Sequence, residues 1–152
     1  HALALIRKEI YKKEVDLLKV LTYAQYHETG EVITGDLPTP IKYFNENITS
    51  AYKDLEKGAC EKLILKLPQE LRQAYTEAIF PDKQSIEAKL VKCSDKICAL
   101  IKCIQELRAG NKEFKKAKDS ILKEVNSYEL EECKFFINNV LPSFDKTLDE
   151  LQ

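Results

Sequence analysis

Four ionisable side chains lie within ten residues of one another in the first quarter of the sequence: His27, Glu28, Glu31 and Asp36. An imidazole beside a carboxylate can offer a nitrogen and an oxygen ligand to a divalent transition metal. A further carboxylate nearby can take up or give a proton during catalysis. This composition is typical of a metal-binding or catalytic site. The alternative interpretation is structural: a His-Glu pair that caps a helix or forms a salt bridge, followed by a stiff turn between helices.

The loop that follows the cluster is rigid in composition. It reads Thr34-Gly35-Asp36-Leu37-Pro38-Thr39-Pro40. Two prolines restrict the backbone in the unfolded chain and hold the folded loop in one conformation. Such a loop is suited to presenting Asp36 and Thr39 to a polar ligand.

A fifth candidate, Asp95, comes from a predicted helix over 86–108. Apolar residues recur there at three- and four-residue spacing, a stripe that predicts either core packing or a seam with a partner helix. Asp95 lies off the stripe, but its neighbours one turn away are Val91, Cys98 and Ala99. We therefore expect a buried carboxylate, which requires a cation or a proton.

The elements that must position these residues are helices, because glycines and prolines fall where helical periodicity breaks. We predict an all-α chain forming one domain over 1–152, with Thr39, Ser85 and Pro68 marking helix starts. The predicted helices cover about 1–12, 14–28, 41–66, 68–79, 86–108 and 113–142.

Composition excludes several classes of function. The 152 residues carry 24 basic and 25 acidic side chains, a net charge of −1, so the basic excess that binds a nucleic acid polymer is missing. No apolar run approaches the roughly 18 residues of a membrane span. Five cysteines, an odd number in a chain of this size, predict reduced thiols that pack as small hydrophobes in a cytoplasmic protein.

A resemblance to a known family rests on one long segment. The run from Tyr26-His27-Glu28 through Thr34-Gly35-Asp36-Leu37-Pro38-Thr39-Pro40 to Tyr43-Phe44-Asn45 resembles the signature of the bacterial HD-domain 5′-deoxynucleotidases, the YfbR-like family. Ser94-Asp95-Lys96, Leu107-Arg108-Ala109-Gly110-Asn111 and Pro142-Ser143-Phe144 resemble further family motifs in the same order. The resemblance implies an HD-domain helical bundle, a homodimer, and removal of the 5′-phosphate from deoxyribonucleoside 5′-monophosphates.

The same resemblance implies a role for each candidate residue. His27, Glu28 and Asp95 would bind a divalent metal such as cobalt or manganese. Glu31 would be the catalytic acid or base that acts on the attacking water. Asp36, Leu37, Pro38 and Thr39 would line the sugar and phosphate of the substrate.

Two departures from the family pattern leave alternatives open. Glu28 stands where the family has aspartate, and the family's first metal histidine belongs to a Glu-His-Ser motif upstream of the point that corresponds to His1. We expect the N-terminal helix to be missing from this chain and His1 to be a bystander. The alternatives are a degenerate HD protein that binds a nucleotide or a partner without hydrolysis, and a helical scaffold that dimerises through the 86–108 stripe.

Overall fold

The computed structural model of the protein describes residues 1–42, 44–147 and 149–151. Helices and turns account for the ordered structure of these residues, and no strand occurs among them, which confirms the all-α prediction. The helices are α1 (Ala2–Leu5, extended by a π-helical turn over Ile6–Ile10), α2 (Leu17–Tyr26), α3 (Glu31–Thr34), α4 (Thr39–Lys42), α5 (Glu46–Leu65), α6 (Gln69–Ile79), α7 (Ile86–Arg108), α8 (Lys115–Ser127) and α9 (Glu131–Asn139). Short 3₁₀ turns cover Lys112–Phe114, Leu141–Asp145 and Asp149–Leu151.

Helix α7 agrees with the prediction at both ends. The Ser85 side chain accepts a hydrogen bond from the Ala88 amide at 3.2 Å, as an N-cap does. The helix ends at Arg108, two residues before Gly110, whose φ of 90° lies in the left-handed region that favours glycine. The apolar stripe is the core of this part of the chain, with five members buried: Leu90, Cys93, Ile97, Leu100 and Ile104. A stripe buried within its own chain cannot serve as a seam for a second copy, so that alternative is wrong.

The predicted helix over 41–66 is divided in the structure. Helix α4 ends at Lys42, and α5 begins at Glu46 after Asn45, which has an extended backbone with φ −156°. The Asn45 side chain accepts a hydrogen bond from the Ile48 amide at 2.9 Å and so caps α5. The prediction of one helix capped by Thr39 is therefore wrong, because the true cap lies six residues further along the chain.

The predicted helix from 113 to 142 is divided as well. Helix α8 ends at Ser127 and α9 starts at Glu131. Between them Glu129 has φ 53°, a left-handed conformation that no helix can continue through. The sequence prediction placed helix ends at glycines and prolines. Neither residue type occurs at this break, so the prediction missed it.

The chain divides into two compact units: His1–Val20 with Lys83–Gln152, and Leu21–Asp82. In the first unit α7 packs against α1 and α8, and an ion pair at 2.7 Å joins the partly buried Arg7 to the buried Glu132 on α9. In the second unit α5 is the central helix and contacts α3, α4 and α6. The prediction of one HD-type domain over 1–152 stays a prediction, since two compact units can belong to one folding domain.

The cysteines agree only in part with the prediction. The sulfur atoms of Cys93 on α7 and Cys133 on α9 lie next to each other, and both side chains are buried, as expected for cysteines that pack as small hydrophobes. That these two thiols are reduced stays a prediction. Cys60 and Cys103 are free and buried, as expected, whereas Cys98 is free and exposed.

Among the helices of the described residues, none has the length and apolar character that crossing a bilayer requires.

Candidate functional site

The imidazole of His27 is held in a form that suits metal binding. Helix α2 ends at Tyr26, and His27 follows in the turn, with its side chain exposed. Its Nδ1 lies 2.7 Å from the carbonyl oxygen of Ala24. A carbonyl oxygen only accepts hydrogen bonds, so Nδ1 must carry the proton and donate. In the neutral ring Nε2 then keeps a free lone pair, and such a backbone contact orients many metal-binding histidines.

Glu28 places an oxygen beside that free nitrogen. One carboxylate oxygen, Oε1, lies 3.6 Å from Nε2 of His27, and both side chains are exposed. The turn that carries the pair is fixed by Thr29, whose hydroxyl donates to the Tyr26 carbonyl at 2.7 Å. A neutral imidazole nitrogen and a carboxylate oxygen on one side of a turn are a donor set that divalent transition metals accept. The pair therefore fits the metal that the sequence predicts.

Gly30 allows the next helix to pack closely against α5. A β-carbon at this position would lie 3.0 Å from the Glu56 backbone oxygen and 3.3 Å from the Cys60 sulfur. Both distances are tighter than most contacts of a β-carbon, so a larger residue here would require α5 or the Cys60 side chain to shift by a few tenths of an ångström, and glycine avoids that shift. The consequence is that Glu31, the first residue of α3, starts directly against α5.

Glu31 has the properties of a proton-transfer group. It is half-buried, and loss of solvent is the main cause that raises its pKa above the ordinary range. The negative charges of Glu28 and Asp36 raise that pKa further, while Lys42 opposes them. A carboxylate whose pKa is shifted toward neutral pH is a better base than an ordinary surface glutamate. The catalytic role of Glu31 stays a prediction.

Sequence reasoning missed the cation of this region, Lys42 at the end of α4. Its Nζ donates to Oε1 of Glu56 at 2.8 Å, lies 4.8 Å from the centre of the Tyr52 ring, and lies 3.8 Å from Oε1 of Glu31. Burial alone would lower the pKa of Lys42, but the hydrogen bond and charge of Glu56 raise it above its ordinary value. Tyr52 and Glu56 are four residues apart on α5 and so share one helix face, a sequence signal that could have drawn attention to them.

The predicted substrate segment lies between α3 and α4. Asp36 and Pro38 are exposed, and Leu37 is half-buried. Thr39 begins α4, but its side chain lies outside the described part of the chain. The segment is anchored through Gly35, which has φ 71° and whose carbonyl accepts a hydrogen bond from the Tyr52 hydroxyl at 2.7 Å.

Asp95 belongs to the first unit, on α7, and its environment differs from the prediction. Its side chain is exposed, as is Cys98 one turn further along the helix. The expectation of a buried carboxylate is wrong, because the face that carries these two residues is open to solvent although Val91 on the preceding turn is buried. Water solvates an exposed carboxylate, so burial gives no reason for a cation there. The assignment of Asp95 as a metal ligand stays a prediction.

The fold is that of the HD-domain proteins. It superimposes on the crystal structure of an HD-domain phosphohydrolase from Listeria innocua with a TM-score of 0.81, covering 93% of this chain and 69% of that one at 24% identity. The predicted HD-type helical bundle is thereby confirmed.

The family follows from the sequence comparisons. The sequence profile of the 5′-deoxynucleotidase YfbR-like family matches residues 1–144. Similar relatives include 5′-deoxynucleotidases of Enterobacter sp. strain 638 and Vibrio vulnificus, 43% and 40% identical over 152 residues, and 5′-deoxynucleotidase YfbR of Escherichia coli, 41% identical. Each alignment covers 99% of this chain and 76 to 78% of the relative. The chain belongs to the YfbR-like 5′-deoxynucleotidase family, as the resemblance predicted.

Proposed function

We infer that the protein is a metal-dependent phosphohydrolase that removes the 5′-phosphate from deoxyribonucleoside 5′-monophosphates. The observation that carries the proposal is the His27 imidazole, which keeps Nε2 free 3.6 Å from the Glu28 carboxylate. This pair lies within the part of the chain that matches the YfbR-like profile. The similar relatives are named 5′-deoxynucleotidases, which points to the same substrate class here.

The residues take the following parts in the reaction. His27, Glu28 and Asp95 would hold the metal, a divalent transition ion such as cobalt or manganese. When bound, such an ion acts as a Lewis acid and lowers the pKa of a water molecule. Glu31 accepts a proton from the attacking water as its oxygen bonds to phosphorus. The bond from phosphorus to the 5′-oxygen breaks, and that oxygen takes back the proton that Glu31 received from water and leaves as the nucleoside hydroxyl.

The segment of Asp36, Leu37, Pro38 and Thr39 contacts the sugar and phosphate of the substrate. Its backbone is fixed at Gly35 by the Tyr52 hydroxyl, so the segment is formed before substrate arrives. Binding to a preformed loop avoids the entropic cost of ordering it.

The proposal extends to the assembly and the location of the protein. We propose a homodimer. Apolar side chains such as Val32 and Phe44 are 78% and 76% exposed in the single chain, and contact with a second copy would cover side chains of this kind. Light scattering of the purified protein measures this directly, and a monomer at micromolar concentration would contradict it. A cytoplasmic location goes with a substrate that is made and consumed there.

The central test is phosphate release from deoxyribonucleoside monophosphates by purified protein, with manganese or cobalt and with a chelator. We expect activity only with metal, and its loss in His27→Ala and in Asp95→Ala. Matched controls are His1→Ala, which removes the other histidine, and Asp119→Asn, which changes an exposed aspartate on α8. Calorimetric titration with the metal should show weaker binding in the two site variants and unchanged binding in the controls. Turnover in chelator, or turnover that survives both site substitutions, would contradict the proposal.

A second function is favoured by one observation, the glutamate at position 28. One extra methylene moves the oxygen donor by about 1 Å, which can weaken a site built for the shorter side chain. A protein of this kind would bind deoxyribonucleotides without hydrolysing them. Glu28→Asp discriminates the two functions: it should create turnover in a degenerate protein, whereas in an active enzyme it changes an activity that is already present.

A further inference from the structure

Both ends of the segment that carries the substrate-binding residues meet on one face of α5. Glu31 is the first residue of the segment and Lys42 is the last, and their charged groups lie 3.8 Å apart. Two residues of α5 hold Lys42: its Nζ lies 2.8 Å from the carboxylate of Glu56 and 4.8 Å from the centre of the Tyr52 ring. We call these four residues the Lys42 clasp.

We propose that Lys42 is a positioning residue for the hydrolytic reaction: held by Glu56 and Tyr52, it fixes the carboxylate of Glu31 in the place where that carboxylate meets the attacking water. The proposal rests on the proposed function, because it assumes that Glu31 performs the proton transfer. It adds a residue to which neither the family signature nor the metal site assigns a part.

The unequal distances around the ammonium group support this role. Lys42 makes a hydrogen bond of ordinary length to Glu56, but its distance to Glu31 exceeds the range of a hydrogen bond. The strong contact therefore fixes the ammonium on α5, and the weaker electrostatic contact orients Glu31 without occupying its oxygens. A carboxylate held in this way stays free to accept a proton from water.

The surroundings make the contact more effective than an ordinary surface ion pair. The side chains of Lys42 and Glu31 are only 21% and 24% exposed, so solvent screens their attraction less than it would at the surface. Lys57 and Glu61 on α5 form a pair at the same 3.8 Å, but their side chains are 67% and 55% exposed. The second pair is thus a matched control with equal distance and different burial.

Tyr52 has a separate part in the clasp. Its ring faces Lys42, while its hydroxyl donates to the carbonyl of Gly35 in the middle of the segment. The segment is therefore held at its start, middle and end by one face of α5. Removing only the hydroxyl in Tyr52→Phe should loosen the substrate-binding loop and raise KM, while the ring and the position of Lys42 remain.

The experiment compares steady-state kinetics of Lys42→Met, Lys42→Arg, Glu31→Gln and the Lys42→Met/Glu31→Gln double variant in the presence of metal. We expect Lys42→Met to lower kcat about 10- to 100-fold, the cost of a misplaced catalytic group, with KM changed less than about threefold. Arginine keeps the cation and its contact with an aromatic ring, so Lys42→Arg should recover most of the rate. The double variant should be no slower than Glu31→Gln alone, because Lys42 acts through Glu31. Lys57→Met should leave kcat and KM unchanged.

Three results would overturn the proposal. A double variant much slower than Glu31→Gln would show that Lys42 acts on the reaction independently of Glu31. A rise in KM as large as the fall in kcat would make Lys42 a substrate contact instead. An unchanged kcat in Lys42→Met would show that the clasp has no part in catalysis.

Two further measurements keep the test independent of folding and of the proposed function. If Lys42→Met folds poorly because Glu56 loses its partner, Lys42→Met/Glu56→Gln removes both charges of that contact and should show the same loss of kcat. Urea unfolding of the Lys42 and Glu31 single and double variants, without substrate, should show that the two substitutions are coupled. Inactive unmodified protein in metal would contradict the proposed function, whereas additive unfolding effects would contradict the clasp itself.

Discussion

Gly30 lies where α3 comes closest to α5, and its replacement by alanine tests whether that contact positions the site. The backbone there has φ −61° and ψ −34°, which alanine adopts without strain. The only cost is steric, since the new methyl group would lie 3.0 Å from the backbone oxygen of Glu56 and 3.3 Å from the sulfur of Cys60. A backbone oxygen of a long helix cannot turn aside as the end of a flexible side chain can.

The size of the effect follows from two opposing contributions. Adding a methyl group to a tightly packed contact costs about 1–3 kcal/mol. A Gly-to-Ala change also lowers the conformational entropy of the unfolded chain, which stabilises the folded protein by about 0.4–1 kcal/mol. Taken at the middle of each range, the net loss in the free energy of unfolding is about 1.3 kcal/mol, which for a chain of this length corresponds to a fall in Tm of about 3–5 °C.

Gly58 supplies the matched control. It lies inside α5, and a β-carbon there would meet no atom within 4 Å apart from its chain neighbours and the adjacent backbone of α5. Gly58→Ala gains helix propensity without a clash and should stabilise the protein by up to about 1 kcal/mol. Thermal unfolding followed by circular dichroism measures both variants. The reasoning is refuted if Gly30→Ala is as stable as the unmodified protein, or if the two substitutions change Tm in the same direction.

Three more predictions follow from the described contacts. The rate kcat/KM should fall as the pH drops through the raised pKa of Glu31, because the protonated carboxyl is no longer a base, and Glu31→Gln should remove this limb of the pH profile. Arg7→Met should cost about 3 kcal/mol or more in urea unfolding because it leaves Glu132, only 1% exposed, without its partner, whereas Lys13→Met in an exposed ion pair should change little. Asn45→Ala should cost about 1 kcal/mol of unfolding free energy through loss of the α5 cap, and an unchanged urea midpoint would contradict that role.

The sequence by itself determined those features that depend on near neighbours along the chain. Ser85 and Gly110 mark the ends of α7 because capping and left-handed turns involve residues only a few positions apart. The His27-Glu28 pair with Glu31 stood out for the same reason, since adjacent residues at a helix end must lie close together. The break at Glu129 escaped because its left-handed backbone belongs to a residue type that gives no local signal.

Only the tertiary structure decided which side chains are buried and which distant residues meet. The apolar or small neighbours of Asp95, which are Val91, Cys98 and Ala99, predicted a buried carboxylate. That carboxylate is exposed, as Cys98 is, because a helix face is covered only if another element packs on it. The sequence does not indicate a role for Lys42, because that role depends on α3 and α4 both packing against α5. Its contacts with Glu31 and Glu56 span 11 and 14 residues of the chain, and such contacts are set by how helices pack rather than by local spacing.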